Sequence, residues 1–185
     1  MLNFLTMKTI YLIRHCKALG QEQDASLTEE WIEQSFKLAD FLRDKDIEEI
    51  VSSTYKRAIQ TIQPLSDILW IRIKTDKRLM EKILSSQSMD DWMDKLRLSF
   101  ENPDLVYDGW ESSLVAMNRW VEVIKEILNG TMSKVAVVTH GALLTLILHY
   151  FDRKIGFDEW KSLGNPCVYE LIYSLNEVSL AEINL

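Results

Sequence analysis

The chain has 185 residues, 47% hydrophobic and 26% charged, with 3 Pro and 6 Gly. That is the balance of one domain around one sizeable core, and it excludes long disordered or fibrous stretches. A net charge of −7 excludes the basic excess on which nucleic-acid binders rely. The 2 Cys, Cys16 and Cys167, form no C-x-x-C pair and no disulfide framework.

The apolar start MLNFLTMKTIYLI lacks the basic residues and small-residue cleavage site of a signal peptide, and it runs straight into Arg14-His15. Residues 7–13 read as a buried, β-branched-rich strand, followed by a polar loop over 14–26. Over 27–45, Ile32, Phe36, Leu38, Ala39 and Leu42 share one helical stripe, with Thr28 as N-cap. A second strand is predicted over 47–52 and a helix over 53–69, which Pro64 should kink or split. A third strand follows at 70–74.

Between 81 and 109 the periodicity blurs. A short helix near 89–98 and turns at Asn102-Pro103 and Asp108-Gly109 are the clearest features. Residues 110–128 form a strong helical pattern stopped by Asn129-Gly130. KVAVVT (134–139) is the clearest buried strand; His140-Gly141 and a helix over 142–151 follow. His149 lies inside that apolar helix and reads as structural. Residues 166–174 and 177–183 read as closing strands, joined by a hairpin around 174–176. No run reaches the roughly 20 apolar residues of a membrane helix. Alternating strands and helices predict the α/β class: a three-layer sandwich with a mostly parallel central sheet and helices on both faces.

In such sheets ligands bind beyond the carboxyl ends of the strands. Arg14, His15 and Cys16 follow the first strand; Ser52, Ser53, Thr54 and, a turn later, Arg57 follow the second. Glu81 comes soon after the third, and His140 follows KVAVVT. Taken singly, each is as ordinary as a surface charge or a loop histidine. Together they suit phosphoryl transfer. Two guanidinium forks match phosphate oxygens, and an imidazole is a nucleophile at neutral pH. A second imidazole can donate to the phosphoryl group, and the first turn of the helix after His140 offers N–H groups to an anion. A carboxyl can protonate a leaving alkoxide and later deprotonate water. Arg and His supply the positive charge, so no metal or other cofactor is expected.

TIYLIRHC resembles the strand plus R-H-G signature of the histidine phosphatase (phosphoglycerate-mutase-like) superfamily. DASLTEEWIEQS, SSTYKRAIQTIQPL, LMEKIL, GWESS, VVTHGALL and GNPCVYEL resemble six further segments of that family, in family order from Thr9 to about Leu171. The resemblance implies the family's fold over 1–185 as a single domain, with a small accessory or lid segment at about 82–110. It implies His15 as the nucleophile that forms a phosphohistidine, and Arg14, Arg57 and His140 as the phosphate pocket. It also implies Glu81 as general acid and then base, with His15, Glu81 and His140 as the catalytic set. Three positions depart from the pattern. Cys16 replaces a Gly and either crowds the phosphate, points away inertly, or, beside two Arg, becomes an acidic, oxidisable thiol. Thr54 replaces a Pro, leaving Ser53-Thr54 to cap the helix, and Trp31 replaces a helix Gly.

The stretch KALGQEQDA carries no Trp or Asn, unlike the corresponding stretch of the mutases, and the segment between Glu81 and Trp110 is short. Both favour a metal-independent phosphomonoester hydrolase over a mutase. A catalytically silent phosphate-binding protein is the third alternative. The expected partner is a small phosphorylated substrate, with no nucleic acid and no membrane, in the cytoplasm; oligomeric state is not legible. Trp92, Met93, Phe100, Tyr107 and Trp110 either form an apolar wall over the pocket or pack the accessory helices, and Lys17 is either a contact to a second acidic group or an ordinary exposed loop lysine.

Overall fold

Four parallel strands and an antiparallel hairpin make up the sheet in a computed structural model, which describes residues 7–83, 90–174 and 177–184. In chain order the elements are β1 (Lys8–Arg14), α1 (Glu29–Leu42), β2 (Glu49–Ser52), α2 (Lys56–Leu69), β3 (Ile73–Thr75) and a 3-10 turn (Lys77–Leu79). They continue with α3 (Trp92–Glu101), α4 (Ser113–Asn129), β4 (Lys134–Thr139), α5 (Gly141–Phe151), α6 (Phe157–Ser162), β5 (Cys167–Ser174) and β6 (Glu177–Ile183). The sheet order is β3-β2-β4-β1-β5-β6. β3, β2, β4 and β1 run parallel, and β5 and β6 close the sheet antiparallel.

Successive side chains of a strand point to opposite faces, and the central strands use both. Tyr11, Ile13, Ala136 and Val138 pack with Leu38 and Leu42 of α1 and Ile62 and Leu65 of α2. Ile10, Leu12, Val135 and Val137 pack with Trp120 and Ile124 of α4 and Leu144 and Ile147 of α5. Two cores therefore sandwich one sheet, as the α/β pattern predicts. α5 is buried from Gly141 through Leu148, which explains why its sequence is apolar all round.

Most predicted elements are present with shifted ends. Thr28 caps α1, its side chain accepting from the Trp31 amide. α2 runs through Pro64 as one helix rather than two. The proline removes a single N–H from the ladder, and the packing of Ile62, Pro64 and Leu65 keeps the helix together across it. α2 does not begin at Ser53-Thr54: its N-cap is Tyr55, with no side-chain capping bond. Its C-cap, Trp70, is left-handed at φ 57°, which delays β3 to Ile73. α4 begins only at Ser113 because Ser112 takes the cap, accepting from the Val115 amide at 3.1 Å. α6 has no counterpart among the predicted elements. His149 is structural, its Nδ1 donating to the Ile155 carbonyl at 2.6 Å. The predicted short helix lies further on, at Trp92–Glu101; residues 84–89 and the tip 175–176 fall outside the described residues. No helix among the described residues is long and apolar enough to cross a membrane.

Candidate active site

The register of the central strands decides which strand ends meet. Arg14 pairs with Thr139 at the last step of β1 and β4, and the His15 amide extends that ladder by donating to the Thr139 carbonyl at 3.0 Å. On the other side of β4, Ser52 pairs with Val138, and the Ser53 amide donates to the Val138 carbonyl at 2.9 Å. His15, His140 and Ser53 are thereby brought side by side, although 125 positions separate the two histidines in sequence.

His15 is held in one tautomer. Its Nδ1 donates to the Cys16 carbonyl at 2.5 Å, so Nε2 carries the lone pair. Arg57 Nε donates to that Nε2 at 3.1 Å. Burial, opposed by the bond to Cys16 and reinforced by the charges of Arg57 and Arg14, pushes the imidazole pKa down to about 3. The ring is therefore neutral and nucleophilic at physiological pH. Asn165 fixes the loop from the other side by donating from Nδ2 to the His15 carbonyl at 2.9 Å.

Both arginines are anchored through backbone carbonyls, and among the described residues neither bonds a carboxylate. Arg14 donates from Nη1 to Leu163 at 2.6 Å and Gly164 at 3.3 Å; its buried Nε has no partner among the described residues. Its guanidinium lies against Gly141, where a Cβ would come within 2.9 Å of Nη2. Arg57 donates from Nη1 to Gln21 at 3.1 Å and Glu22 at 2.7 Å, and its guanidinium covers the Tyr55 ring at 4.7 Å. Two guanidiniums held beside an imidazole, with the Glu81 carboxylate near both but bonded to neither, are suited to bind an anion.

His140 stacks edge-on against His15, with ring centroids 4.9 Å apart. It is fully buried. Burial, and then the neighbouring His15 and Arg57, lower its pKa well below the usual histidine range. Its Nε2 bonds the Ser53 hydroxyl at 2.7 Å, while its buried Nδ1 has no partner among the described residues. An orphaned buried nitrogen beside an anion site is a place where a ligand oxygen would complete the bonding.

Glu81 reaches the same place from the segment after the 3-10 turn. Its carboxylate accepts from the amides of Leu143 at 2.9 Å and Ala142 at 3.1 Å, in the first turn of α5, and from its neighbour Lys82 at 2.8 Å. Acidic oxygens at a helix N-terminus are favourably placed. Arg119 of α4 steadies that segment. It pairs with Glu111 at 2.7 Å and donates to the carbonyls of Arg78 and Glu81.

A cavity of about 830 Å³ opens over these groups, bordered by Arg14, His15, Arg57 and Glu81. The structure thus gathers four of the five predicted residues on one cavity wall, with His140 packed directly behind His15. Lys17 also borders it. Of the two readings of the aromatic set, packing holds for Phe100, Tyr107 and Trp110 and the wall for Trp92. Only Trp92 of the five borders the cavity; Phe100 and Trp110 are buried in packing, and Tyr107 meets Trp110 edge to face at 5.0 Å. Trp31, Tyr55, Trp160 and Asn165, which sequence reasoning did not place here, border the cavity instead. Asn165 sits in a quoted motif, GNPCVYEL, and could have been found there. Cys16 is fully buried, its amide donates to Thr61 Oγ1 at 2.9 Å, and burial pushes its thiol up to about 11. That overturns an acidic, oxidisable thiol and leaves an inert one.

Among curated proteins no match is found. Several solved structures share the fold at identities too low to speak for more than fold. A mycobacterial glucosyl-3-phosphoglycerate phosphatase with inorganic phosphate superposes at TM-score 0.75, with 22% identity over 96% of this chain and 96% of that one. A phosphoglycerate mutase from Bacillus anthracis str. Sterne gives 0.75, with 18% identity over 97% and 94%. A mutant phosphoserine phosphatase from Entamoeba histolytica, in complex with phosphoserine, gives 0.74, with 19% identity over 95% and 96%. The six-stranded α/β architecture is thus phosphoglycerate-mutase-like. The model of the histidine phosphatase superfamily (branch 1) matches residues 10–185, nearly the whole chain, and the chain belongs to that superfamily.

Proposed function

We propose that the chain is a metal-independent phosphomonoester hydrolase that works through a phosphohistidine on His15. The observation that carries this reading is the bond from His15 Nδ1 to the Cys16 carbonyl, which leaves the lone pair on Nε2, facing Arg57, whose Nε–H must yield it when phosphorus arrives. In the first step the Nε2 lone pair attacks phosphorus. The bond from phosphorus to the ester oxygen breaks, and the Glu81 carboxyl gives its proton to the departing alkoxide. In the second step the Glu81 carboxylate takes a proton from water. The water oxygen attacks phosphorus, and the P–Nε2 bond breaks to return the imidazole lone pair. Arg14 and Arg57 bind the phosphoryl oxygens throughout. With the Ser53 hydroxyl donating to Nε2 of His140, Nδ1–H is free to donate to the same oxygens.

The partner in this reading is a small phosphorylated substrate met in the cytoplasm, and residues 82–110 are an accessory segment of one domain. Hydrolysis of p-nitrophenyl phosphate with chelator present tests the mechanism. His15→Ala is expected to lose at least ~10³-fold in rate, as removal of a covalent nucleophile should. Activity that survives this substitution, or that vanishes with chelator, rejects it. Formation of 2-phosphoglycerate from 3-phosphoglycerate with a bisphosphate primer would identify a mutase instead.

A further inference from the structure

Beyond the phosphate groups, the cavity is bordered by indoles from three separate elements: Trp31 of α1, Trp92 of α3 and Trp160 of α6. Trp92 and Trp160 meet edge to face with centroids 6.0 Å apart. Trp160 is itself pre-positioned, stacked on Phe157 at 5.4 Å, and that ring is covered by the Arg97 guanidinium at 4.9 Å. Trp92 nonetheless keeps 40% of its surface exposed. Apolar surface of this size, held rigid beside an anion site, gains by being covered.

The charges around the cavity point the same way. Of the bordering cations, Arg14 and Arg57 belong to the phosphate site. Lys82 is buried, with Nζ bonded to the hydroxyls of Ser99 and Ser113 at 2.8 Å each. Lys17 is the one exposed cation among the described bordering residues. A carboxylate or a second phosphate on the substrate would find only this exposed lysine, with no further cation built into the wall. The volume of about 830 Å³ lies within the roughly 300–1,000 Å³ typical of sites that enclose a whole organic ligand, well beyond what a phosphate alone occupies.

Resting on the reading of His15, Arg14 and Arg57 as a phosphate site, we infer that the substrate is the phosphate ester of an uncharged, ring-bearing alcohol, its ring laid against the surface that Trp92 and Trp160 form together. Small acidic or polyhydroxylated phosphates are then poor substrates.

The test compares esters whose leaving groups are all alkanols: 2-phenylethyl phosphate against glycerol 3-phosphate and 3-phosphoglycerate. At least a tenfold higher kcat/KM for 2-phenylethyl phosphate is expected. In Trp160→Ala and Trp92→Ala its KM should rise about tenfold while kcat stays within twofold, with glycerol 3-phosphate nearly unaffected. Equal or better turnover of the acidic or polyol esters overturns the inference, as does a parallel loss on all substrates in the tryptophan variants. Calorimetry with benzylphosphonate and methylphosphonate reads the same preference without turnover. Tighter binding of the benzyl compound supports the indole subsite, and equal binding overturns it while leaving the phosphate site standing. If neither phosphonate binds, the phosphate site itself is wrong and the inference falls with it.

Discussion

A single carbonyl, that of Cys16, decides what His15 can do, because by accepting from Nδ1–H it leaves the lone pair on Nε2, where Arg57 donates to it. With its pKa held at about 3 by burial and flanking arginines, the His15 ring should not titrate between pH 7.5 and 5. NMR of the imidazole nitrogens checks this: a midpoint near 6.5 would contradict it. The linkage has a definite sign. Between pH 6.5 and about 3 the unfolded chain binds a proton at His15 that the folded chain does not, so folding stability falls as pH falls through that window and is indifferent to His15 above it. His140, depressed for the same reason, adds to the slope. The urea midpoint should therefore be lower at pH 5 than at pH 7. Gly141 matters through Arg14: Gly141→Ala puts a methyl into the guanidinium, which must swing aside. Its kcat/KM is expected to drop about tenfold, or ~1.4 kcal/mol of transition-state binding, with little change in thermal midpoint. Arg14, His15, Arg57, Glu81 and His140 were legible because polar, ionisable side chains soon after apolar strands are conspicuous. Ser53, Asn165 and Gly141 were less so, since they act through a hydroxyl, a carbonyl contact and a missing Cβ, which no side-chain pattern announces.

Among the elements, α4 shows how closely packing is tied to the site. Its Trp120 is fully buried in the core under α5, and Trp120→Ala is expected to destabilise the fold by about 3–5 kcal/mol, measured by chemical denaturation. At the start of the same helix, Ser113 joins Ser99 of α3 in holding the buried Lys82 ammonium, whose pKa burial lowers to about 8. Each hydroxyl already donates to a carbonyl of its own, Leu96 for Ser99 and Ser99 for Ser113. A methionine would fill the same space without stranding either of them, so Lys82→Met should change stability by less than about 1.5 kcal/mol at pH 7. A loss of several kcal/mol in denaturant titration would show that the charge itself holds α3 to α4. This junction was the least legible part of the chain. Helix α3 is 10 residues long and α6 only 6, too short for a 3.6-residue period to stand out. The long α4 and the unbroken KVAVVT strand, by contrast, carry patterns sustained enough to be read directly.

The whole molecule is organised by β1, which pairs with β4 on one side and β5 on the other. The α/β class and the placement of the site at the strand ends were legible because apolar strands and amphipathic helices alternate. The order of the strands was not, since register between strands far apart in sequence leaves no local trace. Three of the bonds that brace the loop after β1 come from the stretch just before β5: Leu163 and Gly164 hold Arg14, and Asn165 holds His15. The earliest strand thus waits for nearly the latest. His15 follows the first described strand, whereas the residues that brace its loop lie about 150 positions later in the chain. A chain ending before residue 163 would carry His15, Arg57, Glu81 and His140 but lack the carbonyls that hold Arg14 and the amide that holds the His15 loop.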